Sequence, residues 1–136
     1  LPKNKKEFLK NLSAVHCYDT QRAPARPVER TASEIKETPD VVHPLILDHD
    51  ETNIKSIYFN ANRTDRIVGY DRKKSDEILD EIDNHITQNK YRYDHKWNIG
   101  DIIIWDNRCL IHSVNVDYPI KESRIHLRTL IKGNIN

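Results

Sequence analysis

Beyond residue 90 the apolar residues of this chain come in short runs cut by turn residues, a spacing that suits strands far better than helices. Four strands are predicted there: Tyr91–Trp97, Asp101–Trp105, Cys109–Val116 and Arg124–Lys132. Asn98-Ile99-Gly100 and Asp106-Asn107 supply the turns between the first three. Many short strands with few helices predict an antiparallel barrel or jelly roll, mainly β with flanking helices. Set into the last part of this sequence are Trp105-Asp106-Asn107-Arg108, His112, Arg124 and Arg128. One imidazole and two guanidinium groups offered from adjacent strands could hold a metal and two anions.

The first 90 residues complete only part of such a fold. Phe8, Leu9, Leu12, Val15 and Tyr18 fall at helical spacing and predict an amphipathic helix over residues 5–18. Residues 19–40 are polar and broken by Pro24, Pro27 and Pro39, which predicts an excursion or lid with a helical turn near Ser33–Lys36. Val41–Leu47 and Ile54–Asn60 read as a strand and its return, joined by the polar turn 48–53, while Arg66–Tyr70 is short and ambiguous. Ser75-Asp76-Glu77 looks like a helix start, with Ile78, Leu79, Ile82 and Ile86 as the apolar face. About half the strands of a jelly roll are then unaccounted for. The sequence also contains no Met, so the expectation is that residues 1–136 are the C-terminal portion of one longer jelly-roll domain.

Composition excludes several classes of function. A hydrophobic fraction of 37% beside a charged fraction of 32% suits a polar, water-exposed protein, and no apolar run approaches the roughly 18 residues of a membrane helix. The net charge of +1 gives no general pull toward nucleic acid or an anionic membrane, so neither is an expected partner. Cys17 and Cys109 lack metal-finger spacing and read as buried, inert thiols of a cytoplasmic protein. A homo-oligomer is compatible with this composition.

Side chains alternate across a strand, so Arg124, His126 and Arg128 share one face. Two arginines on an inward face need anions or acidic partners; on an outward face they need only water. His112 shares its face with Leu110 and Val114, where an imidazole is either a hydrogen-bonded core group or a metal ligand. A non-haem iron(II) site needs two His and one carboxylate, so His112 alone is not enough. His49-Asp50-Glu51 offers a His-x-Glu pair, but its neighbours are turn residues, and a solvated hairpin tip is a poor metal site. His16 and His95 read as surface or packing residues.

The segment Trp97-Asn98-Ile99-Gly100-Asp101-Ile102-Ile103-Ile104-Trp105-Asp106-Asn107-Arg108, with His112 beyond it, resembles the taurine dioxygenase family of iron(II)- and 2-oxoglutarate-dependent dioxygenases. Val42-His43-Pro44-Leu45, Ser56-Ile57-Tyr58-Phe59-Asn60, Arg66-Ile67-Val68-Gly69 and the helix Ser75–Thr87 resemble the family in the same order. The resemblance implies the C-terminal half of a double-stranded β-helix, with Fe(II) as metal and 2-oxoglutarate and dioxygen as cosubstrates. It puts His112 at the distal iron ligand, Arg124 at the arginine that pairs with 2-oxoglutarate, and Arg128 at the arginine that binds an anionic substrate. Trp105 falls near the iron, and Arg63 stands where the taurine enzyme has a substrate-lining Phe. The implied reaction hydroxylates a small anionic molecule of sulfonate, sulfate ester or aryloxyacetate type, releasing succinate and CO2. A binding module that kept the fold without catalysis, and a hydroxylase of an amino acid or related carboxylate, are the alternatives.

The chain also departs from the pattern. The loop from His112 to Arg124 is one residue longer, and Leu127 precedes Arg128 where the family often has His. The family's His-x-Asp pair and its 2-oxoglutarate-binding Thr have no counterpart in this sequence. The resemblance therefore implies that these 136 residues alone are inactive.

Overall fold

The computed structural model describes residues 1–23, 29–115, 119, 121 and 125–131. The elements run α1 (Lys3–Lys10), β1 (Ser13–His16), α2 (Ala32–Glu37), β2 (Val41–Pro44), β3 (Ile46–Asp48), β4 (Lys55–Ile57), β5 (Thr64–Ile67) and α3 (Arg72–Ile86). A single 3-10 turn, Asn89–Tyr91, follows. β1 lies between β2 and β5, antiparallel to both, and β3 pairs antiparallel with β4.

The helix expected over 5–18 is half helix and half strand. α1 stops at Lys10, and Leu12 N–H closes the end on Leu9 O at 3.2 Å. Ala14, Val15 and His16 then take ladder partners on both sides, with Ala14 opposite His43 and Ile67. A central strand satisfies its backbone on both edges and buries both faces, and that outweighs the 3.6-residue spacing. Tertiary pairing thus overrides a local pattern that carries only eight residues of helix.

Leu45 is the pivot between the two sheets. Its N–H donates to Leu12 O at 2.8 Å, while its carbonyl accepts from Tyr58 N–H at 2.8 Å. The strand expected over Val41–Leu47 is therefore split into β2 and β3, with a fully buried Leu45 between them. Asn53, at φ 55, makes the tight turn of the β3–β4 hairpin, a conformation Asn tolerates better than most residues.

α3 begins earlier than expected. Asp71, not Ser75, is the cap, and its carboxylate accepts from Lys74 N–H at 2.7 Å. Ser75 instead sits buried in the first turns, where its hydroxyl accepts from Ile67 N–H at 3.1 Å and ties the helix to β5. Gly69, at φ 80, reverses the chain between β5 and α3. The apolar face is as expected: Ile78, Leu79 and Ile82 pack with Leu9, Leu12, Ala14, Leu45, Phe59 and Ile67 into one core, and Ile86 lies at its margin. α2 matches the helical turn expected near Ser33–Lys36, with a capping box between Thr31 and Glu34.

A second charged layer joins residues 20–22 to this core. Asp65 is buried, and its carboxylate accepts from Thr20 Oγ1 (2.9 Å), Gln21 N–H (3.1 Å), Arg72 (3.0 Å) and Arg66 (3.0 Å). Arg22 reaches Asp76 at 2.8 Å and Asp80 at 2.6 Å on α3. The start of the 19–40 excursion is thereby pinned to the helix.

The expected strands Tyr91–Trp97 and Asp101–Trp105 do not form, nor does Cys109–Val116 over its described residues 109–115. Residues 125–131 of the fourth are likewise without strand pairing, and residue 124 lies outside the described residues. The sequence is apolar enough, but Ile99, Ile102, Ile104, Ile125 and Leu127 are all exposed. A strand is stabilised only by a ladder partner and a covered face, and the described residues provide neither here. The jelly roll is thus seen only in part. Among the described residues no helix is long and apolar enough to cross a membrane.

Candidate metal and anion site

The Trp105–Arg108 segment folds into a turn held by its own side chains. Asp106 Oδ1 accepts from Arg108 N–H at 2.8 Å, and Leu110 N–H reaches Asp106 O at 3.1 Å. Trp105 Nε1 donates to Asn107 Oδ1 at 2.8 Å. His112 follows directly, and its ring lies 4.8 Å from that of Trp105, tilted by 54°. Each conspicuous residue of this motif thus fixes the next.

The turn is moored to the β3–β4 hairpin by charge. His49 Nε2 lies 2.8 Å from Asp106 Oδ2, and Arg108 reaches Asp106 at 2.7 Å and Asp50 at 3.2 Å. Glu51 N–H points at His49 Nδ1 at 3.2 Å, and Arg108 Nη2 lies 3.1 Å from Nε2, so the imidazole is held between the hairpin backbone and the Asp106–Arg108 pair. Arg108, first through its side-chain contacts and then through its backbone N–H, holds the Asp106 carboxyl far below the ordinary carboxylate range. Residues 50–53 at the tip are exposed, as expected, but the His49 side chain is only 10% exposed, because the Trp105–Arg108 turn folds down over it. His49, Asp106 and Cys109 place their donor atoms within 4.8 Å of one another, yet the guanidinium of Arg108 already neutralises the carboxylate.

Of the remaining predicted site residues, Arg63 is half-buried. His112 and Arg128 are exposed. Arg124 lies outside the described residues. His126 packs edge-on against Trp97 at 4.7 Å rather than toward Arg128. Among the described residues no second His or carboxylate groups with His112. An iron at His112 needs two donors that these residues do not bring to it. The His-x-Glu pair does not serve, because His49 is committed to Asp106.

A cleft of about 320 Å³ opens beside the turn. Its walls come from the end of β1, the Tyr58–Asn60 stretch after β4, Arg63 and residues 107–111. Sequence reasoning gave Arg63 but not this enclosure, since nothing in the spacing brings residues 16–18 and 107–111 together. The two thiols both line it, and they differ: Cys17 is half-buried, where burial first and then Asp65 push its thiol up, while Cys109 is exposed. The expectation that both thiols are buried holds only in part for Cys17 and fails for Cys109. Among the described residues no strand covers the turn that exposes Cys109.

An antiparallel sheet on α3, a hairpin pivoting on Leu45 and a Trp-Asp-Asn-Arg turn leading to His112 make up a mixed sheet-and-helix fold. The chain belongs to the taurine catabolism dioxygenase TauD, TfdA family, whose family model matches residues 1–130. The alpha-ketoglutarate-dependent 2,4-dichlorophenoxyacetate dioxygenase of Burkholderia sp. (strain RASC) is 33% identical over 112 residues, 82% of this chain and 37% of that protein. The alkylsulfatase of Acinetobacter baylyi is 28% identical over 142 aligned residues, covering 99% of this chain and 44% of the relative. The crystal structure of AAD-2 in complex with Mn(II) and N-oxalylglycine superposes with a TM-score of 0.70 at 26% identity, over 80% of this chain and 42% of that one. The chain thus spans about two-fifths of the length of these relatives.

Proposed function

We propose that the protein serves a metal- and 2-oxoglutarate-dependent oxidation of a small anionic molecule, with iron(II) as the metal. The observation that carries this reading is the self-braced Trp105–Arg108 turn that presents His112 against the Trp105 ring. The family and the names of the relatives support the class of reaction. Iron(II), when bound with 2-oxoglutarate and dioxygen, supplies the oxidising power, and the co-products are succinate and CO2.

The chain's own residues hold and orient. His112 offers a neutral imidazole nitrogen to the metal, and Trp105 restricts the swing of its ring. Arg124 pairs with the far carboxylate of 2-oxoglutarate in the bidentate geometry that a guanidinium favours. Arg128 places the anionic group of the substrate, with Arg63 as a second contact. The substrate class we favour is a sulfonate, sulfate ester or aryloxyacetate, and the 19–40 excursion acts as a cover that excludes water. The 136 residues are expected to be inactive alone, as the C-terminal portion of one domain. A cytoplasmic location remains part of the proposal.

Anaerobic titration of the longer protein that carries this chain with iron(II) and 2-oxoglutarate checks the reading. A weak visible charge-transfer band is expected, and His112→Ala abolishes it while leaving the far-ultraviolet dichroism unchanged. A band that survives the substitution removes His112 from the metal. Absence of any band in the unsubstituted protein leaves a binding module.

A further inference from the structure

The cleft beside the Trp105–Arg108 turn has a one-sided charge. Its lining residues include two guanidiniums, Arg63 and Arg108, and no Asp or Glu. In a chain with 22 basic and 21 acidic residues, that local imbalance is a departure from the whole. Arg108 is spent on Asp106 and Asp50. Arg63 is not: its recorded hydrogen bonds go to the backbone carbonyls of Tyr18 (3.4 Å) and Asn62 (2.7 Å), and its guanidinium lies 4.4 Å over the Tyr18 ring. Among the described residues no ion pair neutralises Arg63.

His16, on the same wall, adds an independent observation. It is buried, and its Nε2 is shut from solvent without a hydrogen-bond partner. Its Nδ1 lies 3.2 Å from Thr64 Oγ1, and that hydroxyl already accepts from Asn60 N–H at 2.9 Å. Thr64 is fully buried, so its proton needs an acceptor, and His16 Nδ1 is the one within reach. The proton of the imidazole therefore sits on Nε2, as a donor with nothing to donate to. Burial, and after it the neighbouring His43, lowers the pKa of His16 and keeps the ring neutral. An unpartnered donor and an unneutralised cation in one cleft are together satisfied by oxygen acceptors that bear negative charge.

We propose that this cleft is an oxyanion-binding subsite, in which Arg63 pairs with a carboxylate, sulfonate or phosphate group and the Nε2–H of His16 turns to the same ligand. The inference rests on the dioxygenase reading only in making that oxyanion part of the substrate, distinct from the group held by Arg128. A substrate with two anionic groups, or one anionic and one acceptor-rich end, is then the class the protein selects.

The test needs neither iron nor turnover, so its failure leaves the dioxygenase reading standing. The protein is titrated with acetate, methanesulfonate and inorganic phosphate while amide and histidine side-chain nitrogen shifts are followed. Saturable shifts at the amides of Cys17, Asn60 and Arg63, with a moving His16 Nε2 signal, are expected for at least one of the three anions. The anion that binds identifies the group. Arg63→Gln weakens that binding at least tenfold, while Arg63→Lys retains part of it. Shifts that do not saturate, or an affinity unchanged in Arg63→Gln, overturn the proposal.

Discussion

Replacement of Leu79 by alanine is expected to lower the unfolding free energy by about 2–5 kcal/mol. Leu79 is fully buried in the middle of α3, and its side chain belongs to the one cluster that joins the helix to α1, β1 and β5. Two losses add: the hydrocarbon no longer leaves water on folding, and the neighbours cannot close over the void. Ile67 and Ile82 flank it in that cluster and are equally sealed, so the site has little freedom to collapse. Ile35→Ala, on the exposed face of α2, is the matched control, with a change of roughly 0.5 kcal/mol or less. Urea unfolding followed by far-ultraviolet dichroism separates the two. Similar midpoints for both variants would show that α3 does not carry the core.

Asp65→Ala is expected to cost about 2–3 kcal/mol, through a different mechanism. The buried carboxylate is the acceptor for Thr20 and for Gln21 N–H, and Thr20 is itself buried. Its removal leaves those donors without partners and Arg72 and Arg66 short of a counter-charge. The arginines are partly solvated, so most of the loss comes from the enclosed donors. Burial alone would raise the Asp65 carboxyl, but the hydrogen bonds from Arg72, Thr20, Arg66 and Gln21 together outweigh it and depress its pKa. A depressed carboxyl binds its proton later in the folded state than in the unfolded one. Its contribution is therefore full above the unfolded value near pH 4 and is lost as pH falls through the folded value. His16 acts in a higher window with its own sign check: its lowered pKa means the unfolded state takes the proton first, so stability falls below about pH 6.5. Urea midpoints measured from pH 7.5 to 3 should therefore decline in two steps. Asp65→Asn shrinks the lower step, to which the depressed carboxyls of Asp76 and Asp106 also contribute, and leaves the upper one. A single step, or an unchanged lower step in Asp65→Asn, would count against the Asp65 network.

What the sequence made legible followed the strength of local signals. The apolar face of α3 repeats from Ile78 to Ile86 and appears as expected, with its start misjudged because Ser75 had a tertiary task. The hairpin turn at 48–53 was readable from its polar residues, but the tie from His49 to Asp106 spans 57 positions and leaves no periodic trace. β1 was hidden inside a helical spacing because strand pairing is non-local. The strands expected beyond residue 90 rested on short apolar runs cut by turn residues, and a local pattern cannot supply a partner edge. The family was readable in Trp97–Arg108 and His112, since a braced turn and the histidine that follows it are local in sequence. The cleft was not, because its two walls meet only after Leu45 has turned one sheet onto the other.

The mooring of the Trp105–Arg108 turn has one further consequence. Hydrocarbon packing does not weaken through charge screening, and salts such as sulfate strengthen it, whereas exposed charge pairs weaken as ionic strength rises. Arg108 and Asp50 face water, so the grip of the hairpin on the segment that presents His112 loosens in concentrated salt while the α3 core does not. The histidine and the core are therefore fastened by forces with opposite sensitivities, and the brine content of a buffer sets how firmly one is held to the other.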